Sequence, residues 1–83
     1  MLSNLVALGK TKVVDLHGLT KEEARAEILY ELNIVDNFNS IVFVHGYHGG
    51  RVLKDLVRQE IAHERIKEKL MLDASQTAYL LKN

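Results

Sequence analysis

The chain has 83 residues, 47% of them apolar, and its 11 basic and 11 acidic side chains cancel to a formal net charge of zero. That length makes one domain, burying about 60–65% of the extended chain's surface, and the neutral balance argues against an indiscriminate, strongly basic nucleic-acid binder. Cysteine is absent, which excludes disulfides, thiolate zinc sites and a cysteine nucleophile together. No charged start followed by a long apolar run marks a signal peptide or a membrane span. A cytoplasmic location is therefore the expectation.

Residues 1–10, "MLSNLVALGK", lack a clear period and read as an N-terminal arm before a domain over residues 11–83. "TKVVDLHG" reads as a β-branched strand stopped by Gly18. Thr20 and Glu23 then form a capping-box pair, in which each side chain satisfies the other's backbone N–H. Behind it Ala24, Ile28, Leu32 and Val35 recur at helical spacing, with Leu29 widening the stripe, and the asparagines of "DNFNS" end the helix.

"SIVFVHG" is a continuous apolar run, the pattern of an interior parallel strand. After the glycines, Val52, Leu53, Leu56, Val57 and Ile61 mark a second amphipathic helix, predicted to run for roughly fifteen residues and to carry His63. "RIKEKLML" sets Ile66, Glu68, Leu70 and Leu72 against Lys67, Lys69 and Met71; "QTAYLLK" is a further strand, and "DAS" between them suits a hairpin loop. The order β-α-β-α-β-β predicts an α/β (α+β) two-layer sandwich of about four strands, with right-handed crossovers placing both helices on one face. The other face would be only partly covered. Ile41 and Phe43, which share a face with His45 at period two, are candidates for a partner surface. Tyr30 and Tyr79 read as core or rim packing.

Chemistry concentrates at two strand ends. Asp15 and His17 are two apart, so they project to the same side, opposite Val14 and Leu16. A carboxylate beside an imidazole holds one tautomer, which is how a base or a metal ligand is prepared. The bland reading is a surface pair with no role. If the first two strands are parallel, their carboxyl ends share one rim, where ligands bind in open α/β sheets. That rim would gather Asp15, His17, Gly18, His45, Gly46, His48, Gly49 and Gly50. Glycines let backbone N–H groups approach a ligand, and Arg51 and Lys54 in the next helical turn add charge, so a phosphate is the natural guest. Alternatively, the glycines simply permit positive φ in a tight turn. Tyr47, at the loop tip, is the aromatic placed where a nucleobase could stack.

At these residues, "VVDLHGLTKEEA" and "VFVHGYHGGRVLKDLV", the sequence resembles the Smr (small MutS-related) domain, over roughly residues 11–81. The family's marks are a Leu-Asp-Leu-His-Gly strand end and a His/Thr-Gly-x-Gly loop opening a helix. Asp15, His17 and Gly18 match the first; His45 and Gly46 match the start of the second. The usual Gly-Lys-Gly-x-Gly loop is here "GYHGGRV", one residue longer, and the Gly-x-Thr segment before the last strand keeps Thr77 without its glycines. The resemblance implies a β-α-β-α-β-β fold, binding of DNA or RNA and, in several members, endonuclease activity.

On that reading His17 and His45 transfer protons, Asp15 orients His17, and the amides of Gly49 and Gly50 hold a phosphate. Cutting DNA would need activated water, more readily with Mg or Mn, for which Asp15, His17, His45 and His48 are the candidate ligands. Two rivals stand beside it. One is a non-catalytic module for structured nucleic acid or a ribosome-like particle. The other is a homodimeric interaction domain built on Ile41 and Phe43.

Overall fold

A computed structural model describes residues 9–46 and 51–82. Residues 1–8 of the expected arm, and Tyr47, His48, Gly49 and Gly50 of the expected phosphate loop, lie outside the described residues. Strand β1 (Thr11–Asp15) leads to helix α1 (Lys21–Ile34) and strand β2 (Ser40–Val44). A short helix α2 (Val52–Asp55) runs into a π-helical turn over Leu56–Glu60, followed by β3 (Ile66–Asp73) and β4 (Gln76–Leu81). The strands form one mixed sheet in the order β1-β2-β4-β3. β1 and β2 are parallel, and β4 runs antiparallel to both of its neighbours.

Helix α1 begins where its cap dictates. The Thr20 hydroxyl accepts the Glu23 N–H at 3.1 Å, and the Glu23 carboxylate accepts the Thr20 N–H at 2.9 Å. Its buried stripe of Ala24, Ile28 and Leu32 faces the sheet. Glu31, only 7% exposed, is paired with Lys12, whose Nζ donates at 2.7 Å. The far end is closed by Arg65, which donates to the carbonyls of Leu32 and Val35 at 3.2 and 2.6 Å, satisfying acceptors a helix end leaves open. Thr20→Ala removes one capping partner and is expected to cost about 1 kcal/mol. Urea denaturation against the wild type checks it.

Both helices pack on one face of the sheet, where Leu16, Ile41, Phe43, Leu56, Val57 and Tyr79 are fully buried. Phe43 and Tyr79 meet edge to face, ring centroids 4.9 Å apart. The Tyr79 hydroxyl donates to the Val57 carbonyl at 2.5 Å, tying β4 to the π turn. Burial pushes the Tyr79 phenol well above its ordinary range. Lys69 lies over the Tyr79 ring and donates to the Ile61 carbonyl at 2.6 Å, so the π turn ends against a cation.

Four expectations need correction. Ile41 and Phe43 are 0% exposed beneath the helices, so they form no partner surface. The opposite face instead carries Val42 and Ala78, with Leu70, Leu72 and Leu80 packed around them. The second helix stops at Glu60, because Ile61 turns extended (φ −84°, ψ 125°) to bury its side chain while the chain climbs toward β3. His63 therefore follows that helix, its Nε2 hydrogen-bonded to Asn33 Oδ1 at 3.0 Å. In β3 a bulge between Ile66 and Glu68 breaks the alternation, so Ile66 joins the helix-side core while Leu70 and Leu72 face the other way. Tyr30, in contrast to Tyr79, is 57% exposed on α1. Among the described residues no helix is long and apolar enough to cross a membrane.

Candidate functional site

Because β1 and β2 are parallel, their carboxyl ends lie side by side, and the pairing continues one step further as the Leu16 N–H donates to the Val44 carbonyl at 2.8 Å. The chain then reverses over Leu16–Leu19, closed by the Leu19 N–H on the Leu16 carbonyl at 3.1 Å. Gly18, at the third position with φ +85°, supplies the left-handed residue that a type II turn requires there. His17 thus stands at the turn's corner, with its side chain 73% exposed.

Asp15 closes the pair. Its Oδ1 accepts both the His17 backbone N–H at 3.0 Å and the His17 ring Nδ1–H at 2.7 Å. The hydrogen bond from the His17 side chain, followed by the one from its backbone, holds the Asp15 carboxyl below the ordinary carboxylate value. With Nδ1 committed as donor to a carboxylate, the lone pair of the neutral imidazole is at Nε2. That is the geometry of an oriented base.

Across the rim, Gly46, two residues past β2, has φ +71°, and a Cβ placed on it would stand 3.6 Å from the His17 Cβ. The two strand-end loops therefore lie side by side. The neighbouring His45 is only 3% exposed. Its Nδ1 lies 3.0 Å from the Gly46 carbonyl and its Nε2 lies 3.0 Å from Thr77 Oγ1. The carbonyl can only accept, so Nδ1 carries a hydrogen. Thr77 Oγ1 also accepts the Arg58 Nε–H at 2.7 Å, which leaves the Thr77 hydroxyl proton free to point at His45 Nε2. Every bond is satisfied by a neutral His45.

The electrostatics agree. Burial first, then the nearby charges of Arg58 and Lys54, lowers the His45 pKa below its ordinary 6.5. The folded state thus rejects a proton that the unfolded chain accepts. This contribution is fully present above pH 6.5 and is lost as pH falls below it. His45→Asn is expected to flatten the acid-side loss of stability by up to about 1.4 kcal/mol per pH unit. Urea midpoints of both proteins between neutral and mildly acid pH check it.

Arg51 is exposed immediately before α2, and Lys54 is half-buried on α2, near enough to influence His45. Sequence reasoning missed Arg58 and Asp73. Arg58 donates from Nη2 to the carbonyls of Asp73 and, at 3.2 Å, of Gln76. The Asp73 carboxylate accepts the Ser75 N–H and hydroxyl, at 2.8 and 3.0 Å, and the Gln76 amide at 3.1 Å. The Ser75 carbonyl in turn accepts the N–H groups of His45 and Gly46 at 2.9 and 3.1 Å. The β3–β4 turn is thus a floor beneath the rim. Nothing in the spacing of Arg58 marks it for this, since a π turn displaces it from ordinary helical register. Among the described residues no group of three or more histidine or acidic side chains converges in a way that could hold a metal ion.

No protein-family model matches the sequence, and a search of curated proteins finds no match either. A search of solved structures finds the Smr domain of Thermus thermophilus MutS2, at a TM-score of 0.78 and 24% sequence identity, covering 87% of this chain and 99% of that one. The chain has the Smr-domain fold. On that Smr fold the rim is formed by "DLHG" after β1 and "HG" after β2, the two segments that carry the sequence resemblance.

Proposed function

We propose that this Smr-fold domain binds nucleic acid at the rim formed by the carboxyl ends of β1 and β2 and cleaves an RNA phosphodiester there. The observation that carries the reading is the exposed His17 held by Asp15 at 2.7 Å, on a turn beside Gly46. His17 Nε2 takes the proton of the 2′-hydroxyl as the 2′-oxygen attacks phosphorus. The P–O5′ bond breaks, leaving a 2′,3′-cyclic phosphate. The departing 5′-oxygen takes its proton from a solvent water, whose hydroxide is neutralised by the imidazolium of His17, while His45, with both ring nitrogens engaged, holds the β2 end. Gly18, Gly46, Arg51 and Lys54 form the phosphate-facing border, and Tyr47, His48, Gly49 and Gly50 are further phosphate-binding candidates from the sequence.

A second reading, a non-catalytic module for structured nucleic acid, is favoured by one observation. His45 is buried with both ring nitrogens engaged, so among the described residues the rim offers one exposed imidazole. Pure protein incubated with labelled single-stranded and structured RNA and DNA, with EDTA or with added Mg²⁺ or Mn²⁺, separates the two. Cleavage that disappears in His17→Ala supports the enzyme, and cleavage surviving in EDTA supports imidazole chemistry. No cleavage of any substrate, with salt-sensitive binding retained, supports the module. Neither cleavage nor binding would overturn both and leave an interaction domain, such as a homodimer formed through another surface, which gel filtration tests.

A further inference from the structure

We propose that the N-terminal arm, residues 1–8, docks on the sheet face opposite the helices of its own chain, laying its apolar side chains across β2 and β4. Nothing in this packing depends on the chemistry of the rim.

That face is apolar across the whole sheet. The register aligns Val13, Val42, Ala78 and Leu70 in one row over β1, β2, β4 and β3. Among the described residues only strand residues pack around Val42 and Ala78, yet Val42 is 4% exposed and Ala78 0%. Side chains stand roughly perpendicular to a sheet, so a flanking residue hides its neighbour's tip only by being taller. Val42 is flanked across the sheet by Val13 and Ala78, and along its own strand by Ser40 and Val44. None of these is taller than a valine. Leu80, diagonal to it, shields one side at most. Val13, at the edge of the row, is 65% exposed. The burial is therefore centred on β2 and β4, and it exceeds what the strands supply.

The arm has the composition, the reach and the starting direction to supply the rest. Six of its eight residues are apolar, Met1, Leu2, Leu5, Val6, Ala7 and Leu8, and no side chain in it is charged. Eight residues reach about 26 Å when extended, whereas four strands about 4.8 Å apart are about 14 Å across. Gly9 fixes the entry: its φ is +63°, and a Cβ placed on it would stand 2.7 Å from Asn39 Oδ1. The Thr11 side chain is on the apolar face, 2.8 Å from Ser40 Oγ, and its hydroxyl donates to the Gly9 carbonyl at 3.1 Å. The chain thus comes to β1 from that face. Of the other segments outside the described residues, 47–50 joins Gly46 to Arg51 at the rim, and Asn83 is a single polar residue.

The test is methyl NOE spectroscopy of the full chain. Contacts from Leu2, Leu5, Val6 and Leu8 to Val42, Ala78 and Leu80 are expected. A half-labelled mixture read with isotope filters tells one chain from two. Contacts within a chain support the proposal, and contacts between chains give the face to a second copy and overturn it. An arm that makes no contacts, or that docks on α1, overturns it as well. Thermal melts add a second readout. Leu5→Asp is expected to lower Tm by about 6 °C or more, whereas Asn4→Asp, the same charge at a polar position of the arm, shifts it by about 3 °C or less. Equal shifts for the two variants overturn the proposal, and the wild-type contacts decide if Leu5→Asp fails to fold.

Discussion

Phe43→Ala is expected to lower stability by about 3–5 kcal/mol, the cost of an unfilled cavity where an aromatic side chain was fully enclosed. Phe43 is 0% exposed and meets Tyr79 edge to face at 4.9 Å, so its loss also removes an aromatic pair at the centre of the sheet. A chain of 83 residues has a total stability of about 4–12 kcal/mol, so the variant stands near the threshold of folding. At this size each kcal/mol shifts Tm by about 4–8 °C, and a thermal melt resolves the change easily. Val13→Ala is the control. Val13 is 65% exposed on β1, and its truncation should move stability by no more than about 0.5 kcal/mol. A loss below about 1 kcal/mol for Phe43→Ala would contradict the core described above.

The second large effect is on function and should leave the fold alone. Asp15→Asn puts an amide where Oδ1 accepts two hydrogen bonds from His17. The amide has a donor to present as well as an acceptor, so His17 is no longer held with its hydrogen on Nδ1. A general-base role is worth about 10²–10⁴ in rate, and cleavage is expected to fall within that range. The Asp15 side chain is 56% exposed, so the urea midpoint should stay within about 0.5 kcal/mol of wild type. Full activity in Asp15→Asn would remove the oriented base from the mechanism. A matching loss of stability would turn the pair into an ordinary structural contact.

Local rules carried most of the fold. Thr20 and Glu23 announce the start of α1 because a capping box is a contact between near neighbours, and the β3–β4 hairpin follows from "DAS" between two alternating runs. The rim is legible for a related reason. Parallel pairing of β1 with β2 puts both histidine-glycine ends together, and the β-α-β order nearly forces that pairing. What the chain order cannot reveal is which side of an all-apolar strand faces the helices. In "SIVFV" the residues Ile41 and Phe43 look like Val42 and Val44, so period two defines two faces without ranking them. The bulge between Ile66 and Glu68 hides in the same way, since one extra residue reverses the faces of a strand. Arg58 is harder still. Its partners Asp73, Gln76 and Thr77 lie 15, 18 and 19 residues away, and the contact exists because of a π turn that has no sequence signature.

The central claim is that the β1–β2 rim is where this domain meets nucleic acid. Backbone chemical-shift mapping of the labelled protein during titration with a short RNA hairpin tests it without requiring catalysis. The largest perturbations are expected at Asp15, His17, Gly18, Gly46 and Lys54, weakening together as salt is raised. Perturbations centred instead on the opposite pole, around Lys10, Asn39, His63 and Arg65, or on the open sheet face at Leu70 and Leu80, would contradict it.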